Sequence, residues 1–219
     1  MSMALAGFVI LIIGDSHIAG TGFFNNPLQD ALVAQGAQVH AFGVCGSSAA
    51  DWIDPSLIAC GRGERHNDQP AKIESQRGLR GWSLPALINS YHPNLVVIEL
   101  GDTLAGYSLT AALPKGVIED QVNNLLVPVK SRNLSCIWIG PPWGAEGGPY
   151  KKTFQRVKEA SDYLSQIVAP CRYVDSLKIS QPGQWPTLDG VHLTQQSTEI
   201  WDKYLVSSID QIAQGLPRH

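Results

Sequence analysis

At 219 residues, with 44% apolar and only 16% charged side chains, the chain can close one hydrophobic core and is too short for a second full domain beside it. That composition excludes general disorder. A formal charge of -3 and a pI near 6.0 give no field that would hold nucleic acid, and no Lys/Arg run supplies a local one.

The first apolar run, at 8–13, reads as a buried strand. It is far short of the roughly 20 residues that cross a bilayer. It also runs straight into Gly14-Asp15-Ser16 with neither a cationic flank nor a cleavage site, so neither a transmembrane segment nor a signal peptide is expected. The compartment is left between the cytoplasm and an extracytoplasmic form whose leader has been removed.

A helical pattern at 27–35 and a second strand at 39–44 come next, and then segment 54–82 breaks the rhythm. This segment is Gly-rich and polar, with Arg62, Arg65, Lys72, Arg77 and Arg80 set against Glu64, Asp68 and Glu74. It reads as a polar loop insertion in a single domain spanning 1–219: a solvated loop first, and alternatively a lid that touches an anionic or sugar substrate.

Beyond it, helical patterns at 84–91, 117–130 and 154–168 alternate with strands at 95–100, 136–139 and 173–174. A last helix follows Thr194 as its N-cap, carries Trp201, Leu205 and Ile209 on one side, and stops at Gly215 before Pro217. Five strands alternating with helices predict a three-layer α/β/α fold around a mostly parallel sheet, with the functional crevice beyond the carboxyl ends of the strands.

Four cysteines, Cys45, Cys60, Cys136 and Cys171, lack any CxxC spacing, which excludes zinc ribbons and thioredoxin-like redox motifs. Free thiols are expected. A bridge is nonetheless geometrically possible between Cys136 and Cys171 near the starts of neighbouring strands, and a Cys45–Cys60 link would pin the loop that carries Gly46.

The residues with chemistry stand at the two ends of the chain. Ser16 follows the first strand in Gly14-Asp15-Ser16-His17, and Asp189 precedes His192 by three positions in Asp189-Gly190-Val191-His192. A serine hydroxyl is a poor nucleophile until a base takes its proton and a third group orients that base. Ser16, His192 and Asp189 supply all three parts. Two rival readings fall away on the residues: 14–22 has neither GxGxxG spacing nor a GK[ST] ending. Asp15, His17, Asp189 and His192 could be drawn as ligands of a metal-dependent phosphoesterase, but the Asn-His dipeptide such enzymes use does not occur.

With these blocks the chain resembles the SGNH, or GDSL-type, hydrolase superfamily: GDSH for its first block, Gly46 in Gly43-Val44-Cys45-Gly46 for its second, and DGVH for its last. The resemblance implies a flavodoxin-like fold of five parallel strands. It also implies cofactor-free and metal-free acyl-ester chemistry, with Ser16 as nucleophile, His192 as base and Asp189 as its orienting carboxylate. The implied oxyanion hole takes backbone N–H groups of Ser16 and Gly46 and a block-three asparagine, but here the sequence reads Gly101-Asp102-Thr103-Leu104, with Thr103 at the asparagine position. Trp143, Tyr150 and Trp185 fall on the expected crevice side and are candidates for substrate contact. The expected substrate is a small acyl ester, acetyl above all, on a polar alcohol such as a saccharide. The alternatives are a binding or assembly module on the same fold, and an O-acyltransferase.

Overall fold

The computed structural model describes residues 4–20, 23–24, 26–76, 78–108 and 110–216, so that Gly22, Arg77 and Pro217 lie outside the described residues. The chain opens with β1 (Val9–Gly14), a two-residue antiparallel pair β2 (Ala19–Gly20) and β3 (Phe23–Phe24), α1 (Asn26–Ala34) and β4 (Gln38–Val44). It continues through β5 (Arg62–His66), β6 (Lys72–Glu74), α2 (Leu84–Tyr91), β7 (Leu95–Glu99), α3 (Asp102–Ala105) and α4 (Lys115–Lys130). It ends with β8 (Ser135–Ile139), α5 (Phe154–Ile167), β9 (Arg172–Val174) and α6 (Gln195–Gln214).

The main sheet runs β6-β5-β4-β1-β7-β8-β9. The five expected strands are its parallel members, in the order second, first, third, fourth, fifth that defines the flavodoxin-like arrangement. Side chains along β1 alternate between two cores. Leu11 and Ile13 pack with Leu87, Leu125 and Leu164 from α2, α4 and α5, while Ile10 and Ile12 pack with Leu32 of α1 and Trp201 and Leu205 of α6. Both faces are covered, which is why β1 and β7 read as near-continuous apolar runs. Each buried aliphatic side chain stabilises the fold by about 1.5–3 kcal/mol. α6 begins where expected, the Thr194 side chain accepting from the Ser197 N–H.

Segment 54–82 is not a loop throughout. Its residues add two antiparallel strands to the sheet, β5 on β4 and β6 on β5. Its described arginines are engaged by the protein itself: Arg62 pairs with Glu74 at 2.9 Å and lies 4.5 Å over the Trp82 ring. Arg65 pairs with Asp30 at 2.6 Å, and Arg80 donates to the Pro55 carbonyl at 2.8 Å.

The expectation of free thiols is overturned. Cys45 is bonded to Cys60 and Cys136 to Cys171, with Cα atoms 5.5 and 4.5 Å apart. The register explains both. Ile137 stands opposite Arg172 in the β8·β9 pair, which brings the preceding residues Cys136 and Cys171 together. Val44 stands opposite Arg62 in the β4·β5 pair, which brings Cys45 against the segment carrying Cys60. Alkylation without reductant is therefore expected to modify no cysteine. The double variant Cys136→Ser/Cys171→Ser should lose about 2–4 kcal/mol in urea unfolding, and unchanged stability would contradict the bridge.

Candidate active site

β1 ends beside the central switch of the sheet, where Gly14 pairs with Gly43 of β4 on one side and Glu99 of β7 on the other. The turns after these three strands therefore emerge together at one edge. The chain bends sharply past Gly14, with the Asp15 N–H donating to the Glu99 carbonyl at 3.2 Å and the Ile18 N–H to the Asp15 carbonyl at 3.2 Å. This turn holds Ser16, which is 7% exposed.

The other half of the site is a self-tied turn ahead of α6. The Leu188 N–H donates to the His192 carbonyl at 2.8 Å, and Asp189 Oδ1 accepts from the N–H groups of Val191 and His192 at 3.1 and 2.9 Å. The second carboxylate oxygen faces His192 Nδ1 at 2.7 Å, and His192 Nε2 faces Ser16 Oγ at 2.7 Å. An ionised carboxylate only accepts, so the imidazole proton sits on Nδ1 and the Nε2 lone pair is turned to the serine hydroxyl. Burial alone would raise the Asp189 carboxyl. The bonds from the His192 N–H and ring and from the Val191 N–H outweigh it and hold the group below the usual carboxylate range.

The turn is seated by the loop after β8. The Ala145 N–H donates to the Gly190 carbonyl at 2.9 Å, and Gly148, with φ +65°, passes so close that a Cβ there would fall on the Asp189 carbonyl. Lys152 anchors this loop. It is fully buried and donates to Asp102 Oδ1 at 2.6 Å and to the Pro142 carbonyl at 3.1 Å, and the Tyr107 hydroxyl donates to the same Asp102 oxygen.

Of the expected oxyanion donors, Gly46 sits in a left-handed turn (φ +73°) next to the Cys45–Cys60 bridge. Hydrogen bonds engage the N–H groups on either side of both candidates: those of Asp15, Cys45 and Ser47 donate to backbone carbonyls, and that of His17 to the Asp15 carboxylate. Among the described residues no such bond engages Ser16 or Gly46 themselves. Thr103 lies in α3, its hydroxyl shielded from solvent and without a partner among the described residues. Among the described residues, three polar groups thus remain uncommitted on the segments after β1, β4 and β7.

The three aromatic candidates part ways. Tyr150 is 47% exposed, with its ring edge-on to His192 at 5.9 Å. Trp143 instead donates to the Leu177 carbonyl at 3.0 Å and packs on Phe154, closing its own loop. Trp185 is a core residue, buried with Leu193 and Trp201 beneath α6, and offers no face to a substrate. Exposed Leu188, next to Asp189, was not anticipated.

Nor was the buried cluster behind Ser16. His17 Nδ1 bonds Asp15 Oδ1 at 3.1 Å and lies 4.0 Å from Glu99 Oε1, while Nε2 lies 3.5 Å from Asp102 Oδ2. Ligand-type atoms of Asp15, His17 and Glu99 lie within 4.8 Å of one another, and His17 Nδ1 is already hydrogen-bonded to Asp15, while Nε2 is buried with no hydrogen-bond partner among the described residues. Burial opposes charge on His17, and the carboxylates of Glu99, Asp15 and Asp102 outweigh it, pushing its pKa up to about 10. Burial, and then the charge of Asp15, raise the Glu99 carboxyl well above its usual range. The sequence offered Asp15 and His17 of this cluster only as possible metal ligands, and Glu99 only as a glutamate at the end of an otherwise apolar strand.

No family model matches the chain. Protein BcsX of Komagataeibacter xylinus is 38% identical to it over 209 residues, covering 95% of this chain and 79% of that protein. Three solved structures share the fold. Psychrotrophic esterase EstA from Pseudoalteromonas sp. superposes with a TM-score of 0.59 at 16% identity, covering 93% of this chain and 97% of that one. A catalytic mutant of Axe2, an acetylxylan esterase from Geobacillus stearothermophilus, gives 0.57 at 17% identity over 94% and 95%. A GDSL-like lipase from Bacteroides thetaiotaomicron gives 0.58 at 14% identity over 95% and 93%. Among the described residues, no helix is long and apolar enough to cross a membrane.

Gly148→Ala should unseat the Asp189 turn, because the left-handed backbone is strained by any side chain and the new Cβ meets the Asp189 carbonyl. A stability loss of about 1–3 kcal/mol is expected, with faster amide exchange across 187–192. Wild-type exchange in that turn would refute the seating role.

Proposed function

The chain belongs to the family of protein BcsX and carries the SGNH/GDSL-type hydrolase fold, and on that premise we propose that it is a serine esterase that removes small acyl groups, acetyl foremost, from a saccharide. The observation that carries this reading is the unbroken hydrogen-bonded series from Ser16 through His192 to Asp189, 2.7 Å at each step.

In the proposed reaction Ser16 Oγ attacks the ester carbonyl carbon while its proton passes to His192 Nε2. Asp189 stabilises the imidazolium and keeps the ring oriented. The tetrahedral oxyanion is received by the N–H groups of Ser16 and Gly46 and by the Thr103 hydroxyl. Collapse expels the alcohol, which takes the proton from His192 and leaves an acyl-serine. Water then attacks the acyl carbonyl, giving its proton to His192, which passes it to Ser16 Oγ as the carboxylic acid leaves and the serine hydroxyl is restored. Every step uses side chains and backbone alone, so the reading needs neither cofactor nor metal. Exposed Tyr150 and Leu188 supply an apolar rim suited to a sugar face. The shared fold with an acetylxylan esterase supports the substrate class. Two disulfides support action outside the reducing cytosol.

Thr103 at the asparagine position favours a second reading, a binding module or an O-acyltransferase on the same scaffold. Hydrolysis of a chromogenic acetyl ester and of acetylated xylan decides between them. Wild type should turn over, Ser16→Ala should fall by at least about 10³, and EDTA should leave the rate unchanged. A rate that EDTA abolishes and a divalent ion restores would overturn the metal-free mechanism. Thr103→Val is expected to lose about 10² in turnover, whereas Thr103→Asn keeps or improves it. Equal rates for wild type and Ser16→Ala would end the esterase reading, and a full rate in Thr103→Val would remove Thr103 from the hole.

A further inference from the structure

The side chains of Asp15, His17, Glu99, Asp102 and Lys152 form one cluster under Ser16, each of these residues being no more than 5% exposed. With all carboxyls ionised and the imidazole neutral, three negative charges would face the single positive charge of Lys152. Uncompensated charge at such depth is strongly unfavourable. Two more positive charges are required, and the geometry shows where protons fit.

Both nitrogens of the His17 ring face carboxylates, Nδ1 toward Asp15 at 3.1 Å and Nε2 toward Asp102 at 3.5 Å. Neither Nε2 nor Asp102 Oδ2 has a hydrogen-bond partner among the described residues, so the contact is one of charge: a neutral ring would set a lone pair near the anion if its proton sat on Nδ1, whereas an imidazolium is attracted to the carboxylates at both nitrogens. Among the described residues, Asp15 Oδ2 and both Glu99 oxygens are shielded and find no donor, although carboxyl oxygens of the two residues approach within 4.8 Å. Two ionised carboxylates so close and away from water repel strongly, and one proton on the pair removes the repulsion.

We propose that the cluster is held neutral by two protons, one making His17 a fixed imidazolium clamped between Asp15 and Asp102, the other shared by Asp15 and Glu99, and that this clamp registers the Ser16 turn against the Thr103 turn. His17 is thereby a positioning residue: it acts through Asp15, which precedes the serine, and Asp102, which precedes the threonine. The remaining groups that face the ring are His192, with ring centroids 5.7 Å apart, and the edge of Trp201 at 5.5 Å; Lys152 reaches it through Asp102. The kinetic part of this inference rests on the esterase reading; the charge state does not.

The raised His17 pKa gives the sign of the pH effect. A histidine ordinarily near 6.5 and held at about 10 when folded contributes stability that is complete below about 6.5 and lost as pH rises through about 10. Glu99, also raised, gives a slope of the same sign above its unfolded value.

Nitrogen NMR of the full chain labelled in its histidine rings tests the charge state without any substrate. Both His17 nitrogens should remain in the protonated range from about pH 6 to 9. Glu99→Gln, which mimics the protonated carboxyl, should leave His17 cationic, while Asp15→Asn should let it titrate near neutrality. His17→Gln should lower kcat at least about tenfold with KM within about twofold, and should flatten the fall of Tm between pH 6.5 and 10. A neutral His17 ring at pH 7, loss of its charge in Glu99→Gln, or stoichiometric divalent metal on its nitrogen would overturn the proposal. Unchanged kcat in His17→Gln would overturn the clamp. If Ser16→Ala matches wild type, the esterase reading falls, and the NMR result still decides the protons.

Discussion

One backbone hydrogen bond sets the geometry on which the site depends, the donation from the Asp15 N–H to the Glu99 carbonyl at 3.2 Å. It carries the β1·β7 ladder past Gly14 and Glu99 into the turns themselves, so the segments bearing Ser16 and Thr103 cannot drift apart. Their register is decided further down the strand. Ile10 and Ile12 fill one core while Leu11 and Ile13 fill the other, and a slip of one residue would send each set to the wrong face. Hydrophobic packing deep in the sheet thereby aims the polar groups at its edge.

The two halves of the site are built on different principles. The Asp189 turn is local: its carboxylate collects N–H groups two and three residues ahead, so its shape is contained in a few consecutive residues. The Ser16 turn is non-local, held by contacts with β7 and by charged groups drawn from distant parts of the chain. A fixed unit is docked against an assembled one, and the Gly148 approach to Asp189 with the Lys152 anchor is the joint between them.

That division explains what could be read from sequence. The parallel strands were legible because a strand buried on both faces is a continuous apolar run, and α6 because Thr194 caps it. Ser16, Asp189 and His192 stood out because reactive side chains sat just beyond such elements. β5, Arg62-Gly63-Glu64-Arg65-His66, was illegible: its polar residues find their strand only by pairing with β4. Both disulfides went unread for a related reason, since it is the strand register that sets each pair of cysteines together. α3, four residues long, is too short to show a period. Trp185 was misplaced because an aromatic in a polar turn looks exposed, whereas α6 closes over it. Lys152 carried no signal, since its partner Asp102 is fifty positions away.

The sheet's outermost members, β6 and β9, are each three residues long. A second molecule seeking to add a strand would find almost no free ladder at either margin, and an edge that short gives little foothold for sheet-to-sheet growth. β6 also places Lys72 and Glu74, both charged, on that boundary. The sheet is therefore built against strand addition at the same time as it exposes polar chemistry: the long apolar strands are kept inside, and the margins are brief, with charge on β6.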